Sequence, residues 1–154
     1  MLPTLRSAWM PQGKQLRVPT PGTSQKKSVF GAMDIRTGAF MHLIFDRKRA
    51  VEFIEFLGHI VAKYPTGKIH VILDNYSIHK ARSVQVWLAS RPRVKRYFLP
   101  CYMPQLNSVE KVWWHMKAVV TANRLYGSMA ALVAAVNAFF EQLTPSRVQT
   151  LAAC

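Results

Sequence analysis

Apolar and polar positions alternate through "KSVFGAMDIRTGAFMHLIF", residues 27–45, on both sides of a turn-forming cluster at Asp34 to Gly38. A period of two broken by such a cluster predicts two strands joined as a hairpin. The period then changes. Over residues 47–63, Val51, Ile54, Phe56, Leu57, Ile60 and Val61 recur at helical spacing, and "YPTG" stops the helix. "KIHVILD" follows as a short continuous apolar run, the kind of strand buried on both faces of a parallel sheet. A helix over roughly 80–90, a strand in "VKRYFLP", and two helices at about 108–122 and 128–143 complete the pattern. The first 25 residues, with Pro3, Pro11, Pro19 and Pro21 among Gly and Ser, read as irregular. The predicted class is mixed α/β.

That order gives Asp74 a meaningful position. It ends the apolar strand, and in open α/β sheets functional groups gather at the carboxyl ends of strands. Asp74 and Asn75 would equally turn the chain or cap the next helix, so position alone leaves both readings open.

Composition sharpens the question. The 154 residues carry 21 Lys and Arg against 7 Asp and Glu, for a formal charge of +14 and a pI near 10.4, so each carboxylate needs its own explanation. A positive field of this size concentrates polyanions, nucleic acid first and an anionic membrane surface second. Half of the residues are hydrophobic, enough for one packed domain over 1–154. The most apolar stretch, "AALVAAVNAFF", is too short for the roughly 20 residues that span a bilayer, and "MLPTLRSAWM" lacks a signal-peptide core. Cys101 and Cys154 make no metal-binding or disulfide pattern, and the cytoplasm is the expected compartment.

The second informative acid lies in "YMPQLNSVEKVWWHMK". With a helix starting near Ser108, Val109, Val112, Trp113, Met116, Val119 and Val120 form an apolar face, while Glu110, Trp114 and Lys117 share an adjacent one. Asn107 and Glu110 also have the spacing of a capping box, which needs no further function. Between Asp74 and Glu110 lie 35 residues.

"VILDNYSIHKA", that gap and "LPCYMPQLNSVEKVWWHMK" together resemble the second and third acidic blocks of the DDE-superfamily transposases, in the mariner-like branch of bacterial insertion sequences. The resemblance runs from about Arg6 to Leu143 and includes the hairpin and the pattern of Trp9 followed by Gly13. It implies an RNase H-like fold, a five-stranded mixed sheet flanked by helices. It also implies three acids holding two Mg²⁺ (or Mn²⁺) ions for cleavage and strand transfer of transposon-end DNA. By resemblance Asp74 is the second acid and Glu110 the third. His79 matches a "DN…H" pattern and would place a phosphate or a metal-bound water, though a histidine packing at the next helix explains it as well. The family's first acid ends a strand upstream of the segment resembling "LRSAW". The sequence starts inside that gap, so the expectation is a partial catalytic domain without its first strand, with an incomplete metal site and no activity alone.

No other acid replaces it. Asp34 reads as a turn residue, Asp46 as the cap of the first helix, Glu52 and Glu55 as solvent-facing, and Glu141 lies late in the last helix. His42, His59, His70 and His115 lack metal-ligand spacing. Lys26, Lys27, Arg47, Lys48, Arg49, Arg91, Arg93, Lys95 and Arg96 are the candidate phosphate contacts, with Lys117, and Trp114 is a candidate base or sugar contact. The expected partners are DNA and a second copy or an intact transposase. The alternative is a non-catalytic nucleic-acid-binding or regulatory module that competes with intact transposase.

Overall fold

A computed structural model describes residues 6–7, 9–14, 17–18, 25–101, 103 and 106–153. They fall into two compact units. One comprises Lys27–Met33 and Met41–Glu110; the other comprises Asp34–Phe40, the chain from Lys111 on, and the described residues before Lys27.

β1 (Ser28–Met33) and β2 (Phe40–Phe45) pair as the predicted hairpin, whose strands lie in the first unit except for Phe40. Asp34 makes the turn. Its Oδ1 accepts from the Arg36 N–H at 2.9 Å and its carbonyl from the Gly38 N–H at 2.8 Å. Helix α1 (Ala50–Lys63) starts later than the apolar pattern suggests, with Arg49 as N-cap. Asp46 does not cap it and instead pairs with Lys27. Glu52 is not solvent-facing either: it is 7% exposed and accepts from the Arg49 N–H at 3.1 Å and the Arg49 guanidinium Nε at 2.9 Å. An unpaired N–H at a helix start and an adjacent cation draw this acid inward.

Phe53, Phe56, Leu57 and Ile60 of α1 bury against Phe30 and Val84. The Phe30 ring lies 5.6 to 6.1 Å from those of Phe45, Phe53 and Phe56. Each such side chain contributes roughly 2–3 kcal/mol by leaving water, which ties the hairpin to the helix.

Strands β3 (Ile69–Leu73) and β4 (Val94–Phe98) pair in parallel from Ile69↔Val94 to Leu73↔Phe98. A 3₁₀ turn (Ser77–Lys80) and α2 (Arg82–Ala89) connect them, in place of one helix from residue 80. The expectation that "KIHVILD" is buried on both faces is incorrect. Ile69, Val71 and Leu73 pack on the core, whereas His70 and Ile72 face outward, Ile72 being 55% exposed. The continuous apolar run therefore conceals an ordinary one-sided alternation. The described strands number four, in two separate pairs, where the resemblance implies a five-stranded sheet.

The second unit takes over α3 (Ser108–Met116) after Glu110 and continues it as a π-helical turn (Lys117–Thr121) rather than as α-helix to 122. Helix α4 (Met129–Glu141) has Ser128 as N-cap, its side chain accepting from the Ala131 N–H at 3.1 Å. A further helix, α5 (Pro145–Ala153), is absent from the sequence-based expectation. Phe40 stacks on Phe140 at 5.0 Å, and Trp113 meets both rings edge-on. Asn123, in the left-handed region at φ 52°, accepts from the Arg6 N–H and donates to the Arg6 carbonyl, both at 2.9 Å. No helix among the described residues is long and apolar enough to cross a membrane.

Candidate functional site

Asp74 is the first residue beyond β3. Its Oδ1 accepts from the Tyr76 N–H at 3.1 Å, so it does turn the chain. The turn leaves the carboxylate side chain 47% exposed. The following Asn75 donates its side-chain N–H to the Leu99 carbonyl, and the Leu99 N–H bonds to the Leu73 carbonyl at 2.8 Å. These two bonds fasten the carboxyl ends of β3 and β4 together and fix where Asp74 leaves the pair.

His79 is buried beneath this turn. Its Nδ1 lies 2.9 Å from Asp74 Oδ1 and 3.3 Å from the Asp74 carbonyl. The ring packs on Phe53 with centroids 4.4 Å apart, and the His79 carbonyl accepts from Arg96 Nη1 at 2.7 Å. Burial pushes the imidazole pKa below its ordinary value; the Asp74 carbonyl and carboxylate oppose that shift, and the charge of Lys48 adds to it. Lys48 itself sits 4.2 Å over the Tyr76 ring, and Lys80 and Arg96 each lie 5.3 Å from the ring centre of Phe98. Lys48 thus stands over Tyr76 and Arg96 against His79, the two residues that donate to Asp74.

Glu110 occupies the first turn of α3. Asn107 Oδ1 accepts from the Val109 N–H at 3.3 Å and the Asn107 carbonyl from the Glu110 N–H at 2.9 Å, so Asn107 caps the helix. The reciprocal half of a capping box is not formed. Among the described residues the Glu110 carboxylate has no partner, and it shares an exposed stripe with Trp114 and Lys117, as the helical spacing predicts. Asp74 and Glu110 belong to the same compact unit.

The basic candidates separate into tied and free groups. Arg93 donates to the carbonyls of Tyr64 (2.7 Å), Val61 (2.9 Å) and Gly67 (3.2 Å), closing the C-terminal end of α1. Arg96 is held by the His79 carbonyl, Arg49 by Glu52, and Lys27 by Asp46. Arg91 lies over Trp87 at 4.2 Å and bonds to Ser90 Oγ at 2.8 Å. Lys26, Arg47, Lys48, Lys95 and Lys117 are exposed. Trp114, 63% exposed, carries the Arg6 guanidinium 4.5 Å from its ring centre. Sequence reasoning missed the structural duty of Arg93 and Arg96. Neither arginine announces this in the sequence, because the acceptors lie 26 to 32 residues upstream of Arg93 and 17 upstream of Arg96.

Asp74 and Glu110 are hard oxygen donors suited to Mg²⁺ or Mn²⁺, which accept one or two carboxylates and keep much of their water. Among the described residues no group of three or more His, Cys, Asp or Glu is placed to hold a cation. The donor chemistry fits one weakly held ion and falls short of two.

The sequence matches the DDE superfamily endonuclease family over residues 2–133. It is 35% identical over 144 residues to an insertion element IS630 39 kDa protein of Shigella sonnei, covering 93% of this chain and 42% of that protein. Among solved structures it is similar to the Mos1 transposase paired-end complex with left transposon end. That similarity has a TM-score of 0.72 and 15% identity, over 99% of this chain and 47% of the other. The Mos1 strand transfer complex is similar at TM-score 0.73 and 12% identity, with 99% and 47% covered. The Mos1 mariner paired end complex with Mn gives 0.72 and 13%, with 99% and 48% covered. The chain thus spans less than half the length of each of these relatives and shares the mixed α/β, RNase H-like fold of the Mos1 transposase catalytic domain.

Proposed function

Because the chain belongs to the DDE superfamily endonuclease family, in its mariner/IS630 branch, we propose that it acts on transposon-end DNA. In this reading it supplies two carboxylates of a DDE site, Asp74 and Glu110, and a basic surface that holds the phosphate backbone. The observation that carries this reading is the pair of acids. One leaves the end of a parallel strand half exposed, and the other opens a helix with no partner among the described residues; both lie inside the family match. A divalent ion at these groups would supply charge stabilisation for phosphodiester chemistry. The chain's own residues orient Asp74, through Tyr76, Asn75 and His79, and bring phosphates near through Arg47, Lys48 and Lys95.

A second reading is a DNA-holding module without chemistry. It is favoured by the placement of the acids: among the described residues no group of three or more His, Cys, Asp or Glu could hold a metal ion. The test is a nicking and strand-transfer assay on DNA carrying the cognate ends, with Mg²⁺ or Mn²⁺. We expect DNA retention but no turnover by the 154-residue chain. Turnover abolished by Asp74→Asn or Glu110→Gln would establish a complete site, and neither retention nor turnover would remove both readings.

A further inference from the structure

We propose that His79 is a positioning residue for Asp74: through its Nδ1–H alone it occupies one carboxylate oxygen and presents the other to a divalent cation. The inference rests on the reading of Asp74 as a metal-holding carboxylate, and it departs from the sequence-based role of His79 as a contact to phosphate or metal-bound water.

Both atoms facing Nδ1 are oxygens that cannot donate. They are the Asp74 carboxylate at 2.9 Å and the Asp74 backbone carbonyl at 3.3 Å, so Nδ1 carries the hydrogen whatever the state of the other ring nitrogen. Asp74 Oδ1 then receives two donors, this one and the Tyr76 N–H at 3.1 Å, which match its two lone pairs. Oδ2 is left without a partner among the described residues. The ring cannot drift from this duty, because Phe53 packs on its face and Arg96 holds its backbone carbonyl. At 8% exposure the residue is too buried to contact DNA itself. A ligand whose orientation is set by a buried donor loses little freedom on binding the ion, and removal of such a donor typically weakens metal affinity about 10- to 100-fold.

The test titrates Mn²⁺ alone into the full chain and follows the loss of the free-ion EPR signal. Asparagine places its amide nitrogen near the position of Nδ1, whereas glutamine places its own near that of Nε2. His79→Asn should therefore bind Mn²⁺ within about threefold of the parent, and His79→Gln should bind at least about tenfold more weakly. Asp74→Asn should abolish this binding. If Asp74→Asn binds as the parent does, or the parent binds no Mn²⁺, the site reading itself fails. If Asp74→Asn loses the ion while His79→Gln keeps it, the site stands and the positioning role is overturned. Equal losses in His79→Asn and His79→Gln, with equally lowered melting temperatures, would assign His79 to packing and overturn the proposal too. A readout that needs no variant is the imidazole ¹⁵N spectrum of the parent: a protonated Nδ1 at His79 is expected, and a bare Nδ1 would overturn the proposal.

Discussion

At Arg93 a single side chain does the work of a helix cap from a distance. Its guanidinium gathers the carbonyls of Val61, Tyr64 and Gly67, at the last turn of α1 and in the loop that follows it. Hydrogen bonds from a charged donor are stronger than neutral ones, so Arg93→Ala should cost on the order of 2 kcal/mol, read as a lower urea midpoint at unchanged slope. Arg93→Lys should recover only part of this, since a point charge cannot fork across three acceptors. Glu52 makes a separate, pH-dependent contribution. The hydrogen bond from Arg49 holds its carboxyl below the ordinary range, against the opposing effect of burial. A depressed carboxyl adds stability above its unfolded pKa, and that stability is lost as pH falls through the folded value. Thermal melts from pH 7 down to 3 should therefore show the parent losing more stability than Glu52→Gln. Parallel curves would mean the pair contributes nothing in solution.

At the scale of elements, the legible parts were those whose period is local. The hairpin, α1, both parallel strands and α4 follow from spacing within each segment, and the turn at Asp34 from its residue types. Two features depend on neighbours distant in sequence, and the local pattern does not give them. "KIHVILD" looks two-sided because Ile72 is apolar, yet Ile72 and its partner Tyr97 are both exposed. Helix α5 has a start signal in Thr144 and Pro145 but no periodic pattern behind it: the Thr144 Oγ1 accepts from the Arg147 N–H at 3.3 Å, and Pro145 takes the first helical position. Its pattern is short and polar, and its packing includes the hairpin turn more than 100 residues earlier. Gly38 marks that packing. It sits at φ 75°, and a Cβ there would run into the Pro145 carbonyl and come within 2.9 Å of Gln149 Cγ. Gly38→Ala should destabilise by roughly 1–3 kcal/mol through backbone strain and this collision. Gly67, at φ 78° with nothing near its Cβ position, should cost less when changed to Ala, and comparing the two separates collision from strain. Of the candidate site, the residue types and their places at a strand end and a helix start were legible. The Asp74–His79 contact was not, because it depends on a 3₁₀ turn that no periodicity announces.

At the scale of the whole molecule, a charge of +14 predicts DNA retention, but the structure redistributes where that charge is available. Lys27 and Arg49 are neutralised by acids, while Arg93 and Arg96 spend their donors on backbone carbonyls. Arg47, Lys48 and Lys95 remain exposed in the unit that holds Asp74. Binding driven by counterion release should give a log–log salt slope near −5 if about 6 phosphates are neutralised, and each lost contact should flatten it by about 0.9. The double variant Arg47→Gln/Lys48→Gln should therefore move the slope by about 2, whereas Arg93→Gln should leave it unchanged while lowering stability. Both proteins lose positive charge, so a simple dependence on net charge would flatten the slope in both. Only an interface in which position matters separates them. A slope that tracks net charge alone would show that the retention is a general polyanion effect and that the surface beside Asp74 has no special claim on the DNA backbone.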